Sequence, residues 1–166
     1  MKINIIRGIL IILLAGTFYM IFGFSSQNSE ESTGVSMSVS EAIINITNKN
    51  ENADIKYQLA KNIEPIIRKL AHFSVYTLVG FLIMSLVSTY NLTLKKRIII
   101  TIVSGFIYAC SDEIHQLFVN GRSGEIRDVL IDTSGVLLGT LISIGIVKLI
   151  KKHIDKKQKQ EKTNEN

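Results

Sequence analysis

Cysteine, proline and tryptophan are nearly missing from this chain. Cys110 is its single cysteine, so no intrachain disulfide forms. Because it lies inside an apolar run, Cys110 says nothing about redox compartment and reads as a small packing residue. Pro65 is the single proline, close to the start of the second long apolar run, and tryptophan is absent. No GxSxG, HExxH, Walker or Rossmann glycine pattern occurs. The commonest serine-hydrolase, zincin and nucleotide-binding signatures are therefore excluded. The formal net charge of +5 and pI near 9.3 suit an anionic partner. The basic residues, however, gather in "LKKR" at 94–97 and "KLIKKHIDKKQKQEK" at 148–162, without interleaved aromatics. Nucleic acid is not an expected partner; membrane topology accounts for the excess.

What the chain does have is long apolar runs. Its hydrophobic fraction, 46%, resembles that of soluble domains, so the total decides nothing. The distribution does. A membrane-spanning helix needs about 20 apolar residues, and four runs qualify: 8–24, 70–90, 98–118 and 129–150. The first follows Met1-Lys2 and Arg7 but lacks a small-x-small cleavage site, so it is expected to be retained as a span. Lys2 and Arg7, then Lys95, Lys96 and Arg97, then the lysine-rich tail 151–166 mark one side as cytoplasmic. The expectation is an all-α bundle of four transmembrane helices, with both termini cytoplasmic. The tail is expected to be frayed and solvated. The outer loop 25–69 begins polar and then shows two short apolar helical faces, Ala42–Ile43–Ile46 and Leu59–Ile63–Ile66–Ile67–Leu70. They predict a short amphipathic segment, lying in the interface or against the bundle mouth.

At ~100° per residue, the polar residues of the spans fall on single faces. In the third run Thr101, Gly105, Tyr108, Asp112, His115 and Gln116 share an arc of roughly 100° flanked by Glu113, with Cys110 opposite. In the fourth, Asp128, Asp132, Gly135, Gly139 and Ser143 share a narrower one. Gly135 and Gly139 form a GxxxG pair that packs either inside the bundle or across a dimer. In the second, Arg68, Lys69, His72 and Tyr76 cluster. Tyr76, Asp112 and Asp132 each lie roughly 8–9 Å below the outer ends of their spans, at ~1.5 Å per residue. Ionised groups at that depth need partners or water. The three faces predict one polar pocket open to the outer leaflet, with Asp112–His115 among the candidate pairs.

The segments "FSSQ" (24–27), "RKLAHFSVYTLVG" (68–80) and "SDEIHQLFVNGRSGEIRDVLIDTSGVLLG" (111–139), in this order, resemble the VanZ-like family of bacterial membrane proteins. The family usually carries proline in its F-V-P-G-R turn, where this chain has Asn120. It is named for a protein associated with resistance to the glycopeptide teicoplanin. The resemblance therefore implies a cell-envelope role and, through it, modulation of glycopeptide susceptibility, but no reaction. The motif positions it carries over are Arg68, Lys69, His72, Tyr76, Asp112, Glu113, His115, Gln116, Gly121, Arg122, Asp128, Asp132, Gly135 and Gly139.

Four functions compete. Arg68, Lys69, His72, Tyr76, Gln116, Arg122, Asp128 and Asp132 can line a site for an anionic lipid or lipid-linked wall precursor. Gly121 and Gly124 then let the backbone approach the ligand, and Ser123 caps the following helix. Alternatively Asp112, Glu113 or His115 moves protons in a small intramembrane enzyme. A transporter is disfavoured by apolar cytoplasmic halves and the lack of an inverted repeat. In the fourth reading the polar network only locks the helices, with Arg122 paired to Glu113 or Glu125. Metal binding is not predicted. His72 and His115 with Asp112, Glu113 or Asp128 offer zinc- or manganese-type donors, but no dense ligand spacing is present, and no cofactor is expected.

Overall fold

The computed structural model describes residues 2–164, excluding the side chains of Lys2, 151 and 154–164. It contains five helices: α1 Lys2–Ser25, α2 Ser29–Thr47, α3 Ala53–Ser88, α4 Leu94–Gln116 and α5 Ile126–Asn164. Four of them, Ile3–Ser25, Ala53–Ser88, Leu94–Gln116 and Ile126–Ile150, are long and apolar enough to cross a membrane. The all-α four-span architecture is the expected one.

Three boundaries differ from expectation. The segment 25–69 is not a loop with a short helical piece. It holds all of α2 and the first half of α3, packed against each other. At ~1.5 Å per residue the 36 residues of α3 run about 54 Å, well beyond a ~30 Å hydrocarbon core. Its first turns, up to about Pro65, therefore project past the bundle with α2 alongside. Pro65 sits inside this continuous helix, and α3 continues across it. The third span ends at Gln116, leaving Leu117 and Phe118 exposed in the turn. The tail, expected to be frayed, extends α5 as helix to Asn164.

Local chemistry explains the helix starts. Asn28 caps α2 by accepting the Glu31 N–H at 2.8 Å, and Glu31 reaches back to the Asn28 N–H, a capping box. Asn52 and Thr93 cap α3 and α4 with one side-chain oxygen each, accepting from the Ile55 and Lys96 N–H groups. On α2, Ser32, Ser36, Ser40 and Ile44 are the buried residues, one per turn. Their small side chains let α2 lie against α3, where Ala60 and Glu64 are buried in turn.

The helix α3 is the hub, touching α1, α2, α4 and α5. Its closest partner is α5, and glycine sets that distance. A Cβ on Gly139 would strike the Thr77 carbonyl, and one on Gly135 would sit 2.5 Å from the Phe73 carbonyl oxygen. From the other side, a Cβ on Gly80 would strike the Val136 carbonyl. The Gly135–Gly139 face, which sequence left open between bundle and dimer, thus packs inside the bundle on α3. It is not a surface for a second copy. Further along, Ser85 and Ser143 hydrogen-bond across the same seam at 3.1 Å. Cys110, as expected, packs against the apolar core.

The helix α1 docks by its aromatic residues. Phe18 stacks on Tyr108 at 4.0 Å, and the Tyr108 hydroxyl donates to the Phe18 carbonyl at 2.9 Å. At the opposite end from α2, Arg7 donates to the Thr89 carbonyl at 2.7 Å and lies 4.1 Å above the Tyr90 ring. Lys95, Lys96 and Arg97 open α4 at that same end.

Candidate functional site

The polar middle of α3 meets the adjoining ends of α4 and α5 beneath α2, as the three sequence faces predict. A cavity of about 240 Å³ lies there. Arg68, Lys69 and His72 of α3 line it, with Glu113 and Gln116 of α4, Arg122 of the turn, and Asp128 and Asp132 of α5. Asp112 is buried just behind, and Tyr76 lies below, fully buried.

Most of the charge is paired. Arg68 donates to Glu64 at 2.6 Å and to the Thr33 hydroxyl of α2 at 2.7 Å. Glu64 also accepts from the Ser36 hydroxyl. Lys69 contacts Asp128 at 2.5 Å, with Glu125 at 3.9 Å. Glu113 is held at both oxygens, by Gln116 at 3.3 Å and by the Glu125 N–H at 2.9 Å, which ties the end of α4 to the start of α5.

Two residues stand apart from this pairing. Arg122 forms no ion pair among the described residues; the one hydrogen bond of its guanidinium there is to the Phe24 carbonyl at 3.4 Å, and its Nε is buried without a partner. It is paired with neither Glu113 nor Glu125, contrary to the packing-only expectation. Burial, then the nearby Arg68 charge, push its guanidinium below its ordinary range, against an opposing pull from Asp112 and Glu113. Two guanidiniums facing one cavity favour an anion between them. Asp132, 1% exposed, has His72 as its one basic neighbour among the described residues, at 3.8 Å, and neither carboxylate oxygen has a hydrogen-bond partner there.

His115 is a correction. It does not pair with Asp112 or line the cavity. It stacks on Phe22 at 4.6 Å and hydrogen-bonds Ser26 at 3.1 Å, so it belongs to the α1 contact. An arc of roughly 100° was wide enough to include two neighbours, and His115 lies on the α1 side of Asp112. Ser123 is also corrected: α5 begins at Ile126, and Glu125 occupies the position before it, so Ser123 lies too early to be the cap. The site residues missed from sequence are Glu64, Thr33 and Ser36. The i,i+4 spacing of Glu64 and Arg68 was the available signal.

The turn explains its own motif. Arg122 N–H bonds to the Val119 carbonyl at 3.2 Å, and Gly121 has φ +76°. That is the pattern of a type II turn with Asn120 at its second position and glycine at its third. Gly124 allows close packing, since a Cβ there would sit 2.9 Å from the Glu113 carbonyl. Proline suits the second position of such a turn, and the Asn120 N–H donates no backbone hydrogen bond. Asn120→Pro is therefore expected to stabilise the protein by about 0.4–1 kcal/mol through the unfolded chain. A thermal melt in detergent checks it; a lower melting temperature would refute the turn assignment.

A second cavity, also about 240 Å³, opens beside the first. Its walls are mainly apolar: Ile21 and Phe24 of α1, Val35 and Val39 of α2, Ile67 and Val75 of α3. Arg68, His72 and Arg122 line both cavities. Compared with known proteins, residues 10–150 match the family model described as VanZ/LLP1. Neither the curated proteins nor the solved structures gave a match.

Proposed function

The chain belongs to the VanZ/LLP1 family, and we propose that it acts as an envelope membrane protein that binds an anionic lipid or lipid-linked headgroup. The observation that carries this reading is the shared wall of Arg68, His72 and Arg122 between a polar cavity and an apolar groove. An amphipathic molecule has that same division. Its phosphate meets Arg122, a cavity cation with no carboxylate partner among the described residues, and its chain lies along α2 and α3. The basic residues Arg7 and Lys95–Arg97 gather at the opposite end, so the positive-inside rule supports a site facing away from the cytoplasm. In that orientation a lipid-linked wall precursor is within reach, which offers a route to an effect on teicoplanin susceptibility.

The test is lipid retention. Wild-type protein extracted from vesicles of phosphatidylglycerol and phosphatidylcholine should carry phosphatidylglycerol in native mass spectrometry. Arg122→Gln should retain about tenfold less, since a hydrogen bond to a charged group contributes ~1.5–3 kcal/mol. Equal retention by both proteins refutes the reading. The enzyme alternative is weakened at His115, which faces α1, and keeps Asp112 and Glu113 as its candidate proton carriers.

A further inference from the structure

We propose that His72, Asp112 and Asp132 form a divalent metal site. Each comes from a different helix, and one ligand atom of each lies within 4.8 Å of the others. Their donors, one imidazole nitrogen and two carboxylate oxygens, suit Zn²⁺ or Mn²⁺. A tetrahedral ion with ~2.1 Å bonds sets its ligand atoms about 3.4 Å apart. The His72–Asp132 separation of 3.8 Å is too long for a hydrogen bond and close to that edge. Small rotations of the three side chains close the remainder.

The independent observation is the state of the buried oxygens. Asp132 is 1% exposed, yet among the described residues both its carboxylate oxygens lack hydrogen-bond partners, as does the buried Tyr76 hydroxyl. Asp112, 5% exposed, receives only a 3.4 Å contact from Gln116. Neither aspartate has a lysine or arginine partner among the described residues, because Arg68 and Lys69 are taken by Glu64 and Asp128. Two carboxylates side by side between apolar helices are strongly unfavourable when ionised. A divalent ion with a neutral His72 brings the cluster to zero net charge and gives Asp132 the partner it lacks. His72 and Asp132 also line the polar cavity, so the fourth coordination position opens there, where water or an anion can complete the shell.

The inference does not depend on lipid binding and is tested without lipid. Purified protein in detergent is stripped with chelator, dialysed against Zn²⁺ and then against buffer, and assayed by elemental mass spectrometry. The expected result is about one ion per chain, near zero in Asp132→Asn and in His72→Gln, and unchanged in His153→Ala. Loading wild type with Co²⁺ gives a reading that needs no variant: a visible ligand-field band that Zn²⁺ bleaches. Wild type holding no more zinc than the His72→Gln/Asp132→Asn double variant, or showing no Co²⁺ band, overturns the proposal.

Discussion

Gly139→Val is expected to unfold the bundle in detergent at a temperature where wild type is intact. The physical reason is what the new atoms meet. A Cβ at 139 runs into the Thr77 carbonyl and lies 2.6 Å from the Phe81 nitrogen, both on the backbone of α3. A backbone inside a helix cannot turn aside as a side chain does, so α5 must move away bodily and the seam with α3 opens. The cost should exceed the ~1–3 kcal/mol of ordinary overpacking. Gly105 gives the contrast. A Cβ there meets the methyl groups of Val136, at 2.6 and 2.7 Å, so Val136→Ala should restore a Gly105→Ala variant. The same Val136→Ala cannot restore Gly80→Ala, because Gly80 faces the Val136 carbonyl and Cα. Melting temperatures of the four single and two double variants decide it. A Gly139→Val protein that melts with wild type would mean that α3 and α5 are not in close contact.

Arg68→Ala should also destabilise strongly, for an electrostatic reason. Glu64 is 8% exposed and would keep only the Ser36 hydroxyl. Breaking a buried ion pair costs ~3–5 kcal/mol. Here the Arg68 side chain is 30% exposed, so water screens part of the loss and about 2–3 kcal/mol is expected. Replacing both partners, as in Glu64→Gln/Arg68→Met, should recover most of it, because no unpaired charge remains. Chemical denaturation of the single and double variants measures the difference. If the double variant is no better than Arg68→Ala, the pair is not the source of stability. The result also bears on function. Lost lipid in Arg68→Ala mixes two effects, whereas Arg122 has no carboxylate partner among the described residues and gives up only a 3.4 Å contact to the Phe24 carbonyl.

Much of this was legible in the sequence because membrane spans write their constraints plainly. Long apolar runs gave α1, α4, α5 and the second half of α3. The rare charges inside them, Asp112 and Asp132, marked the polar cavity along with His72 and Arg68. The helix α2 was hidden because its buried face is serine, which reads as linker when only apolar periodicity is sought. Asn28 and Glu31, three residues apart, were its visible start signal. Glu64 was hidden with it, since only the packing of α2 buries that side chain. His115 was misplaced because helical angle alone does not say which neighbour occupies each side of an arc. The metal-type cluster has no linear signature at all: its three ligands lie on three helices, and only their packing brings them together.

The central claim is that one molecule fills both cavities, its charged head at Arg122 and its chain in the groove. The most direct measurement is native mass spectrometry of phosphatidylglycerol retention with a third protein added, Ala71→Phe, which adds bulk to the wall of the apolar groove and leaves the Arg122 guanidinium in place. The account predicts that Arg122→Gln and Ala71→Phe each lose the lipid that wild type keeps. Retention in Ala71→Phe equal to wild type would contradict it.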